Sequence, residues 1–183
     1  MQDGHLLIEP NPADDQFSPT ALDLHIGDDF RQFQPKLYET KGVQVSFDLD
    51  EVQIPDLAPY MEPLPAESNG TVILRPKQFV IATTLERVAL PSHGKPAARV
   101  EGRSRFARLG LVIHMTAPTI HNSFQGKITL EIMNHGPISL RVTPRVTRLC
   151  QLIFERVEEI PGAELVSPFQ GQQGPLGSLA PRQ

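Results

Sequence analysis

The chain has 183 residues, a length that suits one domain with a substantial hydrophobic core. Its formal net charge of -4 at pH 7 argues against a general nucleic-acid binder, since such proteins usually carry a basic excess. Its one cysteine, Cys150, excludes an internal disulfide framework, and no segment resembles a signal peptide or a membrane span. We therefore expect a cytoplasmic protein in which Cys150 is buried and inert.

Alternation of apolar and polar residues dominates the chain and predicts β-strands. Turn residues are frequent, with 18 prolines and 13 glycines, and they separate the alternating runs. Many short strands at this spacing indicate an all-β fold, either an antiparallel sandwich or a distorted barrel. The predicted strands are Ala21–Ile26, Val43–Leu49, Thr71–Leu74, Phe79–Thr84, Arg87–Leu90, Ala98–Glu101, Leu111–Met115, Lys127–Met133, Ile138–Val142 and Arg148–Val157.

Two segments depart from this pattern. The proline-rich stretch Pro55–Gly70 predicts a long surface loop. From Pro161 onward the chain is rich in glycine, glutamine and proline, and its composition alone favours disorder. We expect a β domain over residues 1–162 and a flexible C-terminal tail over residues 163–183.

One helical turn is predicted at Gly102–Arg108, between a strand and the glycine of a turn. Ser104 and Arg108 are four residues apart, so they share one face of such a turn, and Ser104 is a candidate cap. The stretch holds three arginines, whose forked donors suit phosphate oxygens. Considered alone, it is more typical of a solvated basic turn than of a phosphate site.

The predicted strand Lys127–Met133 carries an unusual glutamate. Its apolar residues Ile128, Leu130 and Ile132 recur with a period of two and predict a core-facing side, which puts Glu131 on the opposite face. Strands disfavour glutamate. Two interpretations stay open: this face meets solvent, or Glu131 lines a pocket or a subunit interface and serves as a general base.

Missing motifs exclude several chemistries. Zinc-dependent base deamination needs a His-x-Glu motif and a Cys-x-x-Cys pair to hold the metal, and this chain has one cysteine and no His-x-Glu. The chain also lacks the glycine-rich loops of P-loop NTPases and Rossmann dehydrogenases, and the nucleophile elbow of α/β-hydrolases.

The run from Arg99 to Arg156 resembles the core of the dCTP deaminase family. Its segments G-R-S-R-F-A-R-L-G-L, H-M-T-A-P-T-I-H-N-S-F-Q-G-K-I-T-L-E-I-M-N and C-Q-L-I-F follow the order of the family motifs. Upstream, S-P-T-A-L-D-L-H-I-G is similar to the family's S-S-V-D-L-R-L-G strand, and downstream F-Q-G-Q-Q-G-P is similar to its tail. The resemblance covers most of the chain. It implies a distorted β-barrel or jelly-roll of dUTPase-like type with a few short helical turns.

The resemblance also implies an activity: hydrolytic, zinc-independent deamination of dCTP to dUTP and ammonia, in a homotrimer with active sites shared between subunits. Mg²⁺ would bind through the triphosphate rather than at a protein metal site, and dTTP is a candidate inhibitor. We expect no nucleic-acid or membrane partner.

The same resemblance assigns roles to single residues. Glu131 matches the group that activates water, and Ser104 and Arg108 match residues that position the water and the base. The tail is implied to be a lid that orders over the ligand. The residues implied to contact the nucleotide are Arg103, Ser104, Arg105, Phe106, Ala107, Arg108, His121, Thr129, Leu130, Glu131, Gln151 and Gln172.

Three positions depart from the family pattern. His121 replaces an aspartate that contacts deoxyribose, Arg105 replaces the second serine of G-R-S-S, and Pro168 replaces a tail lysine. One interpretation is an altered ligand, with Arg105 supplying the charge lost at Pro168. Two further alternatives stay open: a dUTP diphosphatase or bifunctional enzyme, and a catalytically silent nucleotide-binding homologue. Glu131 favours the deaminase, because the dUTPase branch lacks a glutamate in this strand.

Overall fold

A computed structural model describes residues 6–39, 45–51, 54–91, 96–156, 158 and 170–176. These residues form mostly β-strands, with two single α-helical turns and two 3-10 helices, Asp14–Gln16 and Ile54–Tyr60. The helical turns are α1 (Lys36–Glu39) and α2 (Ser104–Ala107). The strands are β1 (Leu7–Glu9), β2 (Leu22–Phe33), β3 (Met61–Pro63), β4 (Val72–Leu74), β5 (Phe79–Ala89), β6 (Pro96–Gly102), β7 (Leu111–Val112), β8 (Thr119–Ile120), β9 (Gln125–Asn134), β10 (Leu140–Val142) and β11 (Arg148–Arg156).

Nine of these strands form one sheet, in the order β7-β9-β5-β2-β11-β6-β8, with β1 on β5 and β3 on β2. β4 and β10 form a separate two-stranded sheet. The large sheet curls around a single apolar core, which Leu24 of β2, Leu130 of β9 and Leu152 of β11 all enter. The predicted all-β, barrel-like fold is therefore confirmed. Within the described residues, no helix is long and apolar enough to cross a membrane.

The pattern of burial in β9 follows directly from its sequence. Buried and half-buried residues alternate along the whole strand. Ile128, Leu130 and Ile132 lie in the core, as predicted, and Glu131 lies on the outward face with Lys127. A period of two in the apolar residues is sufficient to fix this orientation, because a one-residue slip would expose all three core side chains.

One continuous strand, β5, replaces the two predicted strands Phe79–Thr84 and Arg87–Leu90. Its pairing with β9 shifts register between Thr83 and Arg87, which marks a β-bulge. The bulge brings the polar Thr84 into the interior, where its hydroxyl donates to the Glu86 carbonyl at 2.7 Å and accepts from the Ile128 N–H at 3.0 Å. The polar residues between the two predicted strands thus mark a β-bulge within one strand and not a turn between two.

Two loop predictions need correction. The predicted strand Val43–Leu49 is wrong for the residues described, because 45–48 lack strand structure and Val45, Phe47 and Leu49 are exposed. Phe47 instead packs edge-on against Tyr60, with ring centroids 5.4 Å apart. The predicted loop Pro55–Gly70 holds part of a 3-10 helix and all of β3, which pairs with the end of β2.

Candidate active site

Glu131 lies at the open side of the sheet, where β9 is only partly covered by the short strand β7. The side chain is half-buried, and its Oε2 accepts a hydrogen bond from the Met115 N–H at 3.3 Å. Met115 follows β7, which pairs with β9 through Val112 and Met133. Among the residues described, no cation forms an ion pair with the Glu131 carboxylate. One backbone donor therefore orients this carboxylate, and its Oε1 has no hydrogen-bond partner among the described residues.

The turn α2 presents polar groups to the surface. Ser104, Arg105 and Arg108 are exposed, and the Arg108 guanidinium has no hydrogen bond or ion pair within the described chain. The Arg105 guanidinium lies 4.6 Å from the centroid of the Phe106 ring, a cation–π distance. The predicted cap is wrong: Arg103 occupies the cap position, and no side chain makes a cap hydrogen bond. The Ser104 hydroxyl is left available to a ligand.

A close approach of two glycines fixes the end of α2. Gly110 has a left-handed φ of +85°, and a Cβ there would lie 2.5 Å from the Gly136 nitrogen. A Cβ on Gly136 would lie 2.1 Å from the Leu109 carbonyl oxygen. The His135 N–H also donates to the Gly110 carbonyl at 2.8 Å. The end of α2 is therefore held directly against the turn that follows β9.

Arg103 points inward, unlike the other arginines of the turn. Its NH1 lies 3.0 Å from Asp23 Oδ2 and donates to the Arg148 carbonyl at 3.4 Å. Beneath this pair lies Cys150, which is fully buried as predicted. Burial raises the pKa of the Cys150 thiol, and the negative charges of Glu86 and Asp23 raise it further. The thiol is protonated at neutral pH and is not a nucleophile.

His121 is the exposed residue of the loop between β8 and β9, in which Asn122 and Ser123 are half-buried and Phe124 is buried. Ser123 in this loop has a left-handed φ of +62°, a conformation that usually favours glycine. The Ser123 carbonyl accepts a hydrogen bond from Gln170 Nε2 at 2.9 Å, so a residue near the C-terminus contacts the loop. Within the described residues, the His121 side chain makes no hydrogen bond or ion pair, and it is exposed to solvent.

Residues 170–172 of the tail pack along the edge of β9 that β7 leaves open. Gln172 forms a parallel bridge to Gly126, and its carbonyl accepts from the Lys127 N–H at 2.9 Å. The Gln172 side chain is buried, and its amide donates to the Lys127 carbonyl at 3.2 Å and to the Thr129 hydroxyl. A Cβ on Gly126 would lie 3.0 Å from the Gln172 backbone, so glycine is needed for this approach. The structure thus brings Thr129 and Gln172 together.

Three other residues of the predicted set have different surroundings. Leu130 is fully buried in the core, so only its backbone can contact a ligand. Phe106 packs partly against the same core, while Ala107 is exposed. Gln151 is half-buried on β11, where it pairs with Asp23 of β2 on one side and with Glu101 of β6 on the other.

The sequence profile of the dCTP deaminase-like family matches residues 1–157 of the chain. The chain belongs to this dCTP deaminase-like family. The chain is 37% identical over 180 residues to a protein of Methanosphaera stadtmanae named dCTP deaminase, dUMP-forming, and the match covers 96% of this chain and 86% of that one. It is 37% identical over 187 residues to a dCTP deaminase of Haloarcula marismortui, covering 97% of this chain and 88% of that one.

The fold comparison agrees with this membership. The crystal structure of the 2'-deoxycytidine 5'-triphosphate deaminase from Agrobacterium tumefaciens superposes with a TM-score of 0.59 at 22% identity. The superposition covers 83% of this chain but only 44% of that one, so this chain spans less than half of that structure. At this identity the likeness establishes a shared fold and nothing beyond it.

Within the described chain, the three predicted catalytic residues and two of the predicted nucleotide contacts form two groups. The first is Glu131 with Thr129 and Gln172 along β9, and the second is Ser104 with Arg108 on α2. The two groups are linked through β7, which packs against α2 and pairs with β9. No ion pair joins Arg108 to Glu131 in the part of the chain described.

Sequence patterns missed two contributors to this site. The Met115 N–H orients Glu131, but a backbone donor leaves no trace in side-chain identity. Asp23 holds Arg103, and its only signal was a polar residue in an alternating strand. Pro168, the third departure from the family pattern, lies outside the described residues.

Proposed function

We propose that this dCTP deaminase-like chain converts dCTP and water to dUTP and ammonia without zinc, with Glu131 as the general base. The observation that carries the proposal is the half-buried Glu131 carboxylate, held by the Met115 N–H at 3.3 Å on the open side of β9. The choice of dCTP as the substrate is supported by the names of the relatives from Methanosphaera and Haloarcula, which both contain dCTP deaminase.

The chemistry needs one group that moves protons. Glu131 accepts a proton from water as the oxygen attacks C4 of the cytosine ring, and a new C–O bond forms there. The carboxylic acid then gives this proton to the exocyclic nitrogen, and the C–N bond breaks to release ammonia. The second proton of the attacking water moves from the C4 oxygen to N3, which leaves the C4 carbonyl and the N3–H of the uracil ring. Ser104 and Arg108 supply a hydroxyl and a cation that orient the water and the base amide in this proposal.

The triphosphate needs positive charge that the chain as a whole does not offer, since its formal net charge is -4. Arg105 and Arg108 are exposed and unpaired by any carboxylate in the described residues, so both are available to phosphate oxygens. The turn α2 presents cations rather than carboxylates, so it offers Mg²⁺ no protein ligands. We therefore propose that Mg²⁺ binds through the phosphate oxygens of the nucleotide. When bound, Mg²⁺ offsets part of the triphosphate charge.

The proposal also includes a homotrimeric assembly, a lid formed by the C-terminal tail and a cytoplasmic location. Neither Arg108 nor Glu131 has an ion-pair partner among the described residues, and this supports active sites shared between the subunits of a homotrimer. We include residues 163–183 as a lid on the domain 1–162, and the contacts of Gln172 with Gly126, Lys127 and Thr129 support this. Inhibition by dTTP and a cytoplasmic location remain predictions.

Product analysis tests the proposal directly. Incubation of the chain with dCTP and Mg²⁺, followed by ion-exchange chromatography, is expected to yield dUTP and one ammonia per nucleotide consumed. Release of dUMP and pyrophosphate would show the bifunctional alternative, which the Methanosphaera relative's name favours. Nucleotide binding without any product would leave only the silent homologue, detectable as a shift of Tm with dCTP.

His121 is the position that best separates these alternatives. We expect His121→Asp to restore the carboxylate of the family pattern and to lower KM for dCTP by about tenfold, since one hydrogen bond to a charged group contributes roughly 1.5 kcal/mol. The exposed position of His121 should accept the change without loss of stability. Steady-state kinetics of ammonia release would measure it, with the exposed His135→Asp as a control. A rise in KM would show that the imidazole has its own role.

A further inference from the structure

Arg103 differs from the other arginines of α2 in how its charge is used. Arg105 and Arg108 are exposed, whereas only 24% of the Arg103 side chain is exposed and its NH1 lies 3.0 Å from Asp23 Oδ2. The Asp23 side chain is itself only 18% exposed. An ion pair with so little water around it is screened less than a surface pair, and it is costly to break on one side alone.

The Asp23–Arg103 pair connects α2 to the sheet. Asp23 lies on β2 and Arg103 at the cap position of α2, where its carbonyl accepts from the Phe106 and Ala107 N–H groups at 2.9 and 3.1 Å. The Arg103 guanidinium also donates to the carbonyl of Arg148 on β11 at 3.4 Å. One side chain therefore ties the start of the turn to two neighbouring strands.

The two ends of α2 are held by different forces. Its last residues pack against the turn after β9 through the close contact of Gly110 with Gly136, which depends on shape. Its start has no side-chain cap and depends on the charge of Asp23. Ser104 follows Arg103 directly in the chain. Its position therefore depends more on the Asp23–Arg103 ion pair than on the contact between Gly110 and Gly136.

We infer that Asp23 is a positioning residue, which holds Arg103 and thereby fixes the start of α2, so that Ser104 and Arg108 face the reacting base. This inference rests on the proposed deamination and adds a residue that touches neither substrate nor the reacting atoms. Loss of the Asp23 charge would free the Arg103 guanidinium and let the turn move. The reaction would slow, because Ser104 and Arg108 would spend less time in place.

Asp23→Asn tests the inference by removing the charge at nearly constant size. We expect kcat for ammonia release to fall about tenfold while KM changes little, because the exposed Arg105 and Arg108 still attract the triphosphate. Arg103→Gln should cause a similar fall, and the double variant should be no worse than either single one. Asp28→Asn is the matched control on the same strand, since Asp28 pairs with Arg145 on the exposed surface.

Hydrogen exchange measured by NMR gives a readout that needs no activity. The amides of Phe106 and Ala107 should exchange about tenfold faster in Asp23→Asn, and unchanged in Asp28→Asn. If Asp23→Asn does not fold, Arg103→Gln serves for the same measurement. Unchanged exchange, or additive losses of kcat in the double variant, would overturn the role of Asp23. Failure of the unmodified chain to release ammonia would overturn the proposed function instead, and the exchange result would still decide on Asp23.

Discussion

Glu131→Gln is expected to reduce ammonia release from dCTP by roughly 10³-fold, the range in which general-base groups act. Glutamine has nearly the same shape, and its amide oxygen can still accept the Met115 N–H that now holds Oε2 at 3.3 Å. It cannot accept a proton from water. The fold and the binding of dCTP should therefore survive, and the loss should fall on kcat rather than on KM.

Two measurements make this expectation decisive. Isothermal titration with dCTP and Mg²⁺ should give similar Kd values for the variant and the unmodified chain, while single-turnover assays should show little product. Glu62→Gln is the matched control, a strand glutamate that accepts from Gln32 Nε2 at 2.9 Å on the far edge of the sheet. Turnover by Glu131→Gln at the unmodified rate would remove Glu131 from its assigned role.

The same variant tests whether subunits share their sites. Arg108→Ala should also be inactive alone, because it removes the cation proposed to orient the base. If each site takes Glu131 from one subunit and Arg108 from another, equal mixing with subunit exchange should restore about a quarter of the unmodified activity. A site built within one chain would regain nothing. The mixing result therefore separates a shared site from an intrachain one without a new structure.

The regular parts of the fold were predictable because a strand with one buried face leaves a period-two signal. β9 shows this most clearly, since the apolar Ile128, Leu130 and Ile132 fixed which face carries Glu131. The short helical turn at α2 was also predicted correctly, although Ser104 is not its cap. The strand predicted at 43–49 was wrong for its described residues, 45–49, because alternation alone does not supply a partner strand.

Pairings between distant residues were beyond what a single sequence can show. Arg103 looked like its neighbours Arg105 and Arg108 in the sequence, and only the fold brings Asp23 within 3.0 Å of it. The tail gave a similar result: composition favoured disorder, yet residues 170–172 pack on β9, with Gln172 buried against Thr129. In both cases a polar contact over a long sequence separation determines the conformation.

Glu86→Ala is expected to destabilise the chain by about 2–5 kcal/mol, because it leaves two buried donors of His25 unsatisfied at about 1–3 kcal/mol each. The Glu86 side chain is 2% exposed, and its carboxylate accepts from the His25 N–H at 2.9 Å, the His25 ring Nδ1 at 2.6 Å and Gln16 Nε2 at 3.3 Å. Because Arg148 Nε donates to the other ring nitrogen, the His25 proton is assigned to Nδ1. Alanine would leave the His25 backbone N–H and the His25 ring N–H without an acceptor, whereas Gln16 Nε2 would keep its bond to the Asp23 carbonyl at 2.8 Å.

Urea unfolding followed by circular dichroism would measure this loss. Circular dichroism is preferred to fluorescence because the chain contains no tryptophan. Asp28→Ala is the matched control: it breaks an ion pair that is more than half exposed on both sides, and it should cost less than about 1 kcal/mol. Glu86 lies next to the β-bulge of β5, where the ladder hydrogen bonds are interrupted and the His25 N–H needs another acceptor. A small decrease in the free energy of unfolding of Glu86→Ala would mean that water reaches the bulge and satisfies these donors. The buried carboxylate would then not be what stabilises the sheet at the bulge.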